Sequence, residues 1–182
     1  MQRGSPGWPG RKAVAPAAAH RRRPTVRAII QPPIRSGGSA MKSSARNQFA
    51  GVVTGVRDGA INDEIELDIA PGQRLVSTVT RESRQALKLE VGAKAVALVK
   101  ASSVMLVGDS AGMRFSARNQ LAGKVEAVTT GAVNSEVLVR LPGGAMVVAI
   151  ITNASASGMA LRQGDDVTAM FKASSVFLAT QA

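Results

Sequence analysis

The chain has 182 residues, no cysteine, one histidine and a formal net charge of +11. The lack of cysteine rules out disulfides, thiolate nucleophiles and cysteine metal sites. No apolar run reaches the roughly 20 residues that span a bilayer.

In chain order, residues 1–40 come first and read as a disordered basic tail. They hold Arg3, Arg11, Lys12, Arg21, Arg22, Arg23, Arg27 and Arg35 without a single acid. Those eight charges, out of a net +11, leave only +3 for residues 41–182. Pro-Gly and Pro-Pro pairs punctuate the segment, and it has too little apolar surface to order itself. A nucleic-acid or membrane arm, a transit-like peptide and upstream sequence ahead of an initiator at Met41 are three readings of it. The last is preferred, because Met41 stands just before the next feature.

From about residue 42 the sequence is written twice. Ser44-Ala45-Arg46-Asn47-Gln48 returns as Ser116-Ala117-Arg118-Asn119-Gln120, and Lys100-Ala101-Ser102-Ser103-Val104 returns at the same offset as Lys172-Ala173-Ser174-Ser175-Val176. Two repeats follow, 42–110 and 114–182, joined by Gly108-Asp109-Ser110-Ala111-Gly112. Each is near the lower size limit for an independent core, so they are expected to pack on each other or on further copies. The one histidine, His20, lies outside both, which removes imidazole chemistry from them.

Within the first repeat, Phe49 to Arg57 is β-branched and alternating, and a turn follows at Asp58–Asn62. Ile65-Glu66-Leu67-Asp68-Ile69 alternates apolar against acidic, as a half-buried strand does. Ala70-Pro71-Gly72-Gln73 is a turn and Leu75 to Val79 a third strand. Thr80 caps a short helix over Glu82–Leu89, with Gly92 closing the turn beyond it; Thr152 and Gly164 repeat this. Ala95 to Lys100 and Val104 to Val107 are the fourth and fifth strands. The fold class is all-β: two tandem OB-like antiparallel β-barrels, each with one short helix.

The positions held fixed between the copies are mostly hydroxyl, amide and cationic residues with turn glycines. Arg46 and Lys100 bring positive charge, Ser44, Thr80, Ser83, Ser102 and Ser103 bring hydroxyl donors, and the small Ala45 and Ala101 let backbone N–H groups approach a ligand. Glu82 is the one acid inside these motifs, and Ala154 replaces it in the second copy. A pocket rich in donors and poor in acceptors suits a fully deprotonated oxyanion. Taken singly, each motif reads as solvated charge, a cap or a turn; their joint retention points to a site. The retained Gly59-Ala60-x-Asn62-x-Glu64 reads first as a hairpin connection, with an anion or subunit contact as the alternative.

These paired motifs resemble the molybdate-binding Mop (TOBE-like) domain in its duplicated form, the molbindins. The resemblance covers essentially all of 42–182. It implies an OB-like barrel per repeat, molybdate or tungstate as ligand, no cofactor, and a homotrimer with oxyanions at interfaces between domains. Carried over by position, it assigns one site class to Ser44, Ala45, Arg46, Thr80, Ser83, Lys100, Ala101 and Ser102. Its counterpart is Ser116, Ala117, Arg118, Thr152, Ser155, Lys172, Ala173 and Ser174. Asn47 and Asn119 join the site as supports of the same backbone segment. With neither a phosphate loop nor a helix-turn-helix ahead of the repeats, the chain resembles the stand-alone cytoplasmic storage form. An enzyme is disfavoured, since no acid–base constellation is kept in both repeats. A nucleic-acid module is disfavoured by the scarcity of aromatics for base stacking. A ligand-sensing accessory module is the remaining rival.

Overall fold

A computed structural model describes residues 43–70 and 72–181. The expectations for the tail, for Pro71 and for Ala182 lie outside the described residues. The first repeat contributes β1 (Asn47–Arg57), β2 (Asn62–Ala70), β3 (Gln73–Thr80), α1 (Arg81–Ala86), β4 (Lys94–Val99) and β5 (Met105–Val107). The second contributes β6 (Asn119–Thr130), β7 (Asn134–Arg140), β8 (Met146–Thr152), α2 (Asn153–Gly158), β9 (Asp166–Phe171) and β10 (Val176–Ala179). A 3-10 turn, Ala101–Ser103 or Ala173–Ser175, precedes each last strand.

The strands form two five-stranded antiparallel sheets, as the alternating patterns require. Ile65 and Leu67 on β2 are fully buried, while the alternating Glu66 is half-buried and Asp68 exposed on the other face. Retained Gly51 and Gly123 answer to packing: a Cβ on either would lie 2.6 Å from the carbonyl oxygen of Asp68 or Arg140 on the neighbouring strand. Register shifts at Val53/Gly55 and Val125/Ala127 follow at once, bending β1 and β6 so that the sheets curl.

Each helix is shorter than its expected span. α1 ends at Ala86 because Lys88 adopts a left-handed φ of 50°, and the chain then turns inward to seat Leu89 in the core with no exposed surface. Ala160 adopts the same left-handed turn after α2, with φ 48°, and Leu161 beyond it packs half-buried against the core. Gly92 and Gly164, at φ 91° and 95°, complete these turns where a side chain would be strained.

Sheet membership departs from the tandem reading. That reading places Val104–Val107 in the first barrel, but β5 pairs with β9 of the second repeat, Leu106 opposite Ala169. Reciprocally β10 pairs with β4, Val176 opposite Val99. The strand orders are β10-β4-β1-β2-β3 and β5-β9-β6-β7-β8. After each 3-10 turn the chain crosses to the other repeat instead of folding back on its own. One continuous hydrophobic core results, running from Phe49, Val53 and Leu75 to Val125, Val147 and Phe171. The mutual packing expected from the repeats' small size is therefore present within one chain. Among the described residues no helix is long and apolar enough to cross a membrane.

Candidate functional site

The retained motifs gather where the two repeats cross. Asn47 is 1% exposed, and its side chain clips onto β8: Nδ2 donates to the Val148 carbonyl at 2.9 Å, and Oδ1 accepts from the Val148 N–H at 2.7 Å. Asn119 repeats the clip on β3, donating to the Val76 carbonyl at 2.8 Å and accepting from its N–H at 2.7 Å. The Ala101–Ser103 turn packs on β8 and the Ala173–Ser175 turn on β3. Ser77 Oγ on β3 also donates to the Val176 carbonyl at 2.7 Å.

This geometry regroups the candidates. Within one chain, Ser44, Ala45, Arg46, Lys100, Ala101 and Ser102 belong to segments that converge on β8, the strand that ends in Thr152 and leads to Ser155. Ser116, Ala117, Arg118, Lys172, Ala173 and Ser174 belong to segments that converge on β3, which ends in Thr80 and leads to Ser83. The sequence reading grouped each set with the Thr and Ser of its own copy; the crossed strands lay it on the strand that leads to those of the other. Asn47 and Asn119 hold the backbone of the opposite repeat, not of their own segment, and both ends of their amides are engaged.

The donors remain available. Ser44, Ser102, Ser116 and Ser174 are exposed and make no side-chain hydrogen bond among the described residues. Thr80 Oγ1 accepts from the Ser83 N–H at 3.1 Å and donates to Ser83 Oγ at 2.9 Å; Thr152 and Ser155 form the same cap at 3.1 and 2.8 Å. Gln48 and Gln120 bind the carbonyls of Ala45 and Ala117 at 3.1 and 2.8 Å, closing each motif into a tight loop. The Ala45 N–H donates to Ser43 Oγ at 3.1 Å, whereas the second copy has Phe115 in place of that serine.

The four cations fall into two kinds. Lys100 and Lys172 are exposed and form no ion pair among the described residues. Arg46 pairs with Glu136, and Arg118 with Glu64 at 2.8 Å. The sequence reading missed Glu64 and Glu136 as partners of these arginines. Their retention in both copies was the available signal.

A second charged cluster belongs to the first repeat alone. The buried Asp63 carboxylate accepts from the Gly59 N–H at 3.1 Å and from Arg84 at 3.2 Å, while Arg84 also pairs with Asp58. Arg81 donates to the Gly59 carbonyl at 2.6 Å. At the equivalent place in the second repeat the contacts are neutral: Ser135 Oγ donates to Asn153 Oδ1 at 2.8 Å, and Asn153 holds the Gly131 carbonyl at 3.0 Å. The adjoining cleft of about 570 Å³ is lined by Asp58, Arg81, Arg84, Gln85, Lys88, Leu89 and Glu90. Only Leu89 keeps its type in the second copy, so this cleft is not a repeated site.

The Gly59 N–H, and after it Arg84, hold the Asp63 carboxyl below the usual carboxylate range against the opposing effect of burial. A depressed folded-state pKa stabilises the fold above the unfolded value, and that stability is lost as pH falls through the folded one. Normalised amide-exchange protection at Gly59 is therefore expected to fall below about pH 4. Gly131, whose N–H donates to the Asn134 carbonyl at 2.9 Å, is expected to keep its protection there. Parallel loss at both glycines would show that Asp63 does not hold the first turn.

Comparison with known proteins bears on the whole repeated region. The TOBE domain family matches residues 43–106 and 116–178. The molybdenum transport protein ModE of Herbaspirillum seropedicae is 45% identical over 142 residues, 78% of this chain and 53% of that protein. The molybdenum-pterin-binding protein MopA of Rhodobacter capsulatus is 41% identical over 139 residues, 76% of this chain and 52% of that protein. The chain thus spans about half the length of these relatives. Among solved structures, the cytoplasmic molybdate-binding protein ModG with molybdate bound superposes with a TM-score of 0.76 at 42% identity, covering 78% of this chain and all of that one. No group of histidine, cysteine and carboxylate residues suited to a metal cation occurs among the described residues.

Proposed function

The chain belongs to the TOBE domain family, and from that premise we propose that it binds molybdate, without catalysis, to store and buffer the oxyanion in the cytoplasm. Tungstate, nearly the same size, is a second ligand of the same sites. The observation that carries the reading is the pair of exposed donor clusters at the repeat crossings, each with a lysine and serine hydroxyls that have no partner among the described residues. Likeness to the molybdate-bound ModG structure along that protein's whole length supports it.

One site class is Ser44, Ala45, Arg46, Lys100, Ala101 and Ser102 with Thr152 and Ser155; the other is Ser116, Ala117, Arg118, Lys172, Ala173 and Ser174 with Thr80 and Ser83. Asn47 and Asn119 serve both by fixing the loops. Hydroxyl and backbone N–H groups replace the hydration shell of a tetrahedral dianion, and lysine charge strengthens those bonds. In a single chain these donors stay open to solvent, which supports closure of the sites by further copies in a homotrimer.

Calorimetric titration of the full chain with molybdate and with tungstate, with sulfate and phosphate as controls, tests the proposal. Saturable molybdate binding with little response to the controls is expected. Absence of heat with both molybdate and tungstate would leave a β-barrel interaction module in its place.

A further inference from the structure

An oxyanion site needs donors, so the retention of Glu64 and Glu136 in both repeats calls for its own explanation. Each carboxylate meets the arginine of the opposite repeat's Ser-Ala-Arg-Asn segment. Arg118 reaches Glu64 through two contacts of 2.8 Å, one to each carboxylate oxygen, and Arg46 pairs with Glu136. The acid side chains are 18% and 24% exposed, against 49% and 55% for Arg118 and Arg46. Other charges near these strands were not kept: Arg57, Asp58, Asp63 and Arg84 correspond to Thr129, Thr130, Ser135 and Ala156. Retention of the two crossed pairs amid that drift sets them apart from ordinary surface ion pairs, which contribute little.

A guanidinium has five N–H donors in one plane. A carboxylate engaging it through both oxygens uses two of them and fixes where the others point. Resting on the oxyanion reading, we propose that Glu64 and Glu136 are positioning residues that anchor the arginine forks and so set the anion radius each site accepts. An anchored fork cannot follow a smaller anion inward, so a misfit ion leaves donors unsatisfied, and that deficit is a source of discrimination. Pairing also offsets charge that would attract any anion regardless of size, in part at Glu64, which Arg57 shares at 3.6 Å, and more fully at Glu136. Lys100 and Lys172, without such partners among the described residues, supply the net attraction.

The test is the full chain carrying E64Q and E136Q together, titrated with molybdate and with sulfate, and melted by circular dichroism. Glutamine keeps the side-chain shape and gives up the charge. The ratio of molybdate to sulfate affinity is expected to fall by about tenfold or more, chiefly through tighter sulfate binding. An unchanged ratio with a lower melting temperature would reduce the pairs to braces between repeats and overturn the proposal. Should the double variant fail to fold, E64Q and E136Q singly carry the same prediction, each splitting the sulfate titration into two classes. Wild-type protein that binds no molybdate overturns the oxyanion reading and this role together. Wild-type binding with an unchanged variant ratio overturns the role alone.

Discussion

Asn119→Ala is expected to lower unfolding stability by about 2–4 kcal/mol, with Asn47→Ala toward the lower end of that range. The amide of Asn119 satisfies both the N–H and the carbonyl of Val76, a residue 8% exposed on β3. Alanine removes both bonds and leaves two backbone groups without partners in a space too enclosed to hydrate freely. Val148, the partner of Asn47, is only half-buried, so water recovers part of the loss there. Asn119→Asp discriminates further, since a carboxylate still accepts from Val76 N–H but faces its carbonyl oxygen without a donor. Denaturant titration measures both variants. Full stability in the two Asn119 variants would show that the clip does not hold the repeats together.

Lys100→Ala should weaken molybdate binding at one site class by roughly 10- to 100-fold, the worth of one charge-assisted hydrogen bond. Lys172→Ala should do the same at the other class. Folding should be untouched in both, because each lysine is exposed and forms no ion pair among the described residues. Surface changes of that kind usually alter stability by no more than about 0.5 kcal/mol. Calorimetry on each variant gives the result directly: one class of sites weakened, the other preserved. Unchanged stoichiometry and affinity in both variants would remove the lysines from the site.

The sequence made the strands legible because burial on a sheet face writes itself as alternation. Ile65 and Leu67 against Glu66 and Asp68 needed no tertiary knowledge. Alternation does not record which strand lies alongside, and so the exchange of β5 and β10 was out of reach. The same limit governs the site. Retention of Asn47 and Asn119 was visible, but an amide that clips a backbone far along the chain looks, in sequence, like one that supports its own loop. Arg46 and Glu136 were both visible as retained residues, and their pairing was not, since it crosses between copies.

The exchanged strands set the order of synthesis against the order of closure. As the chain is made, β1 to β4 precede the second repeat, yet β4 has an open edge until Val176–Ala179 of that repeat arrive to cover it. The pairing between Val99 and Val176 is among the most distant in the chain, and such contacts slow folding because loop entropy is lost before any bond forms. Until then the nascent first half carries an unpaired strand edge, the feature that invites association with a neighbouring chain. The half that leaves the ribosome first is thus the half that waits longest to be finished.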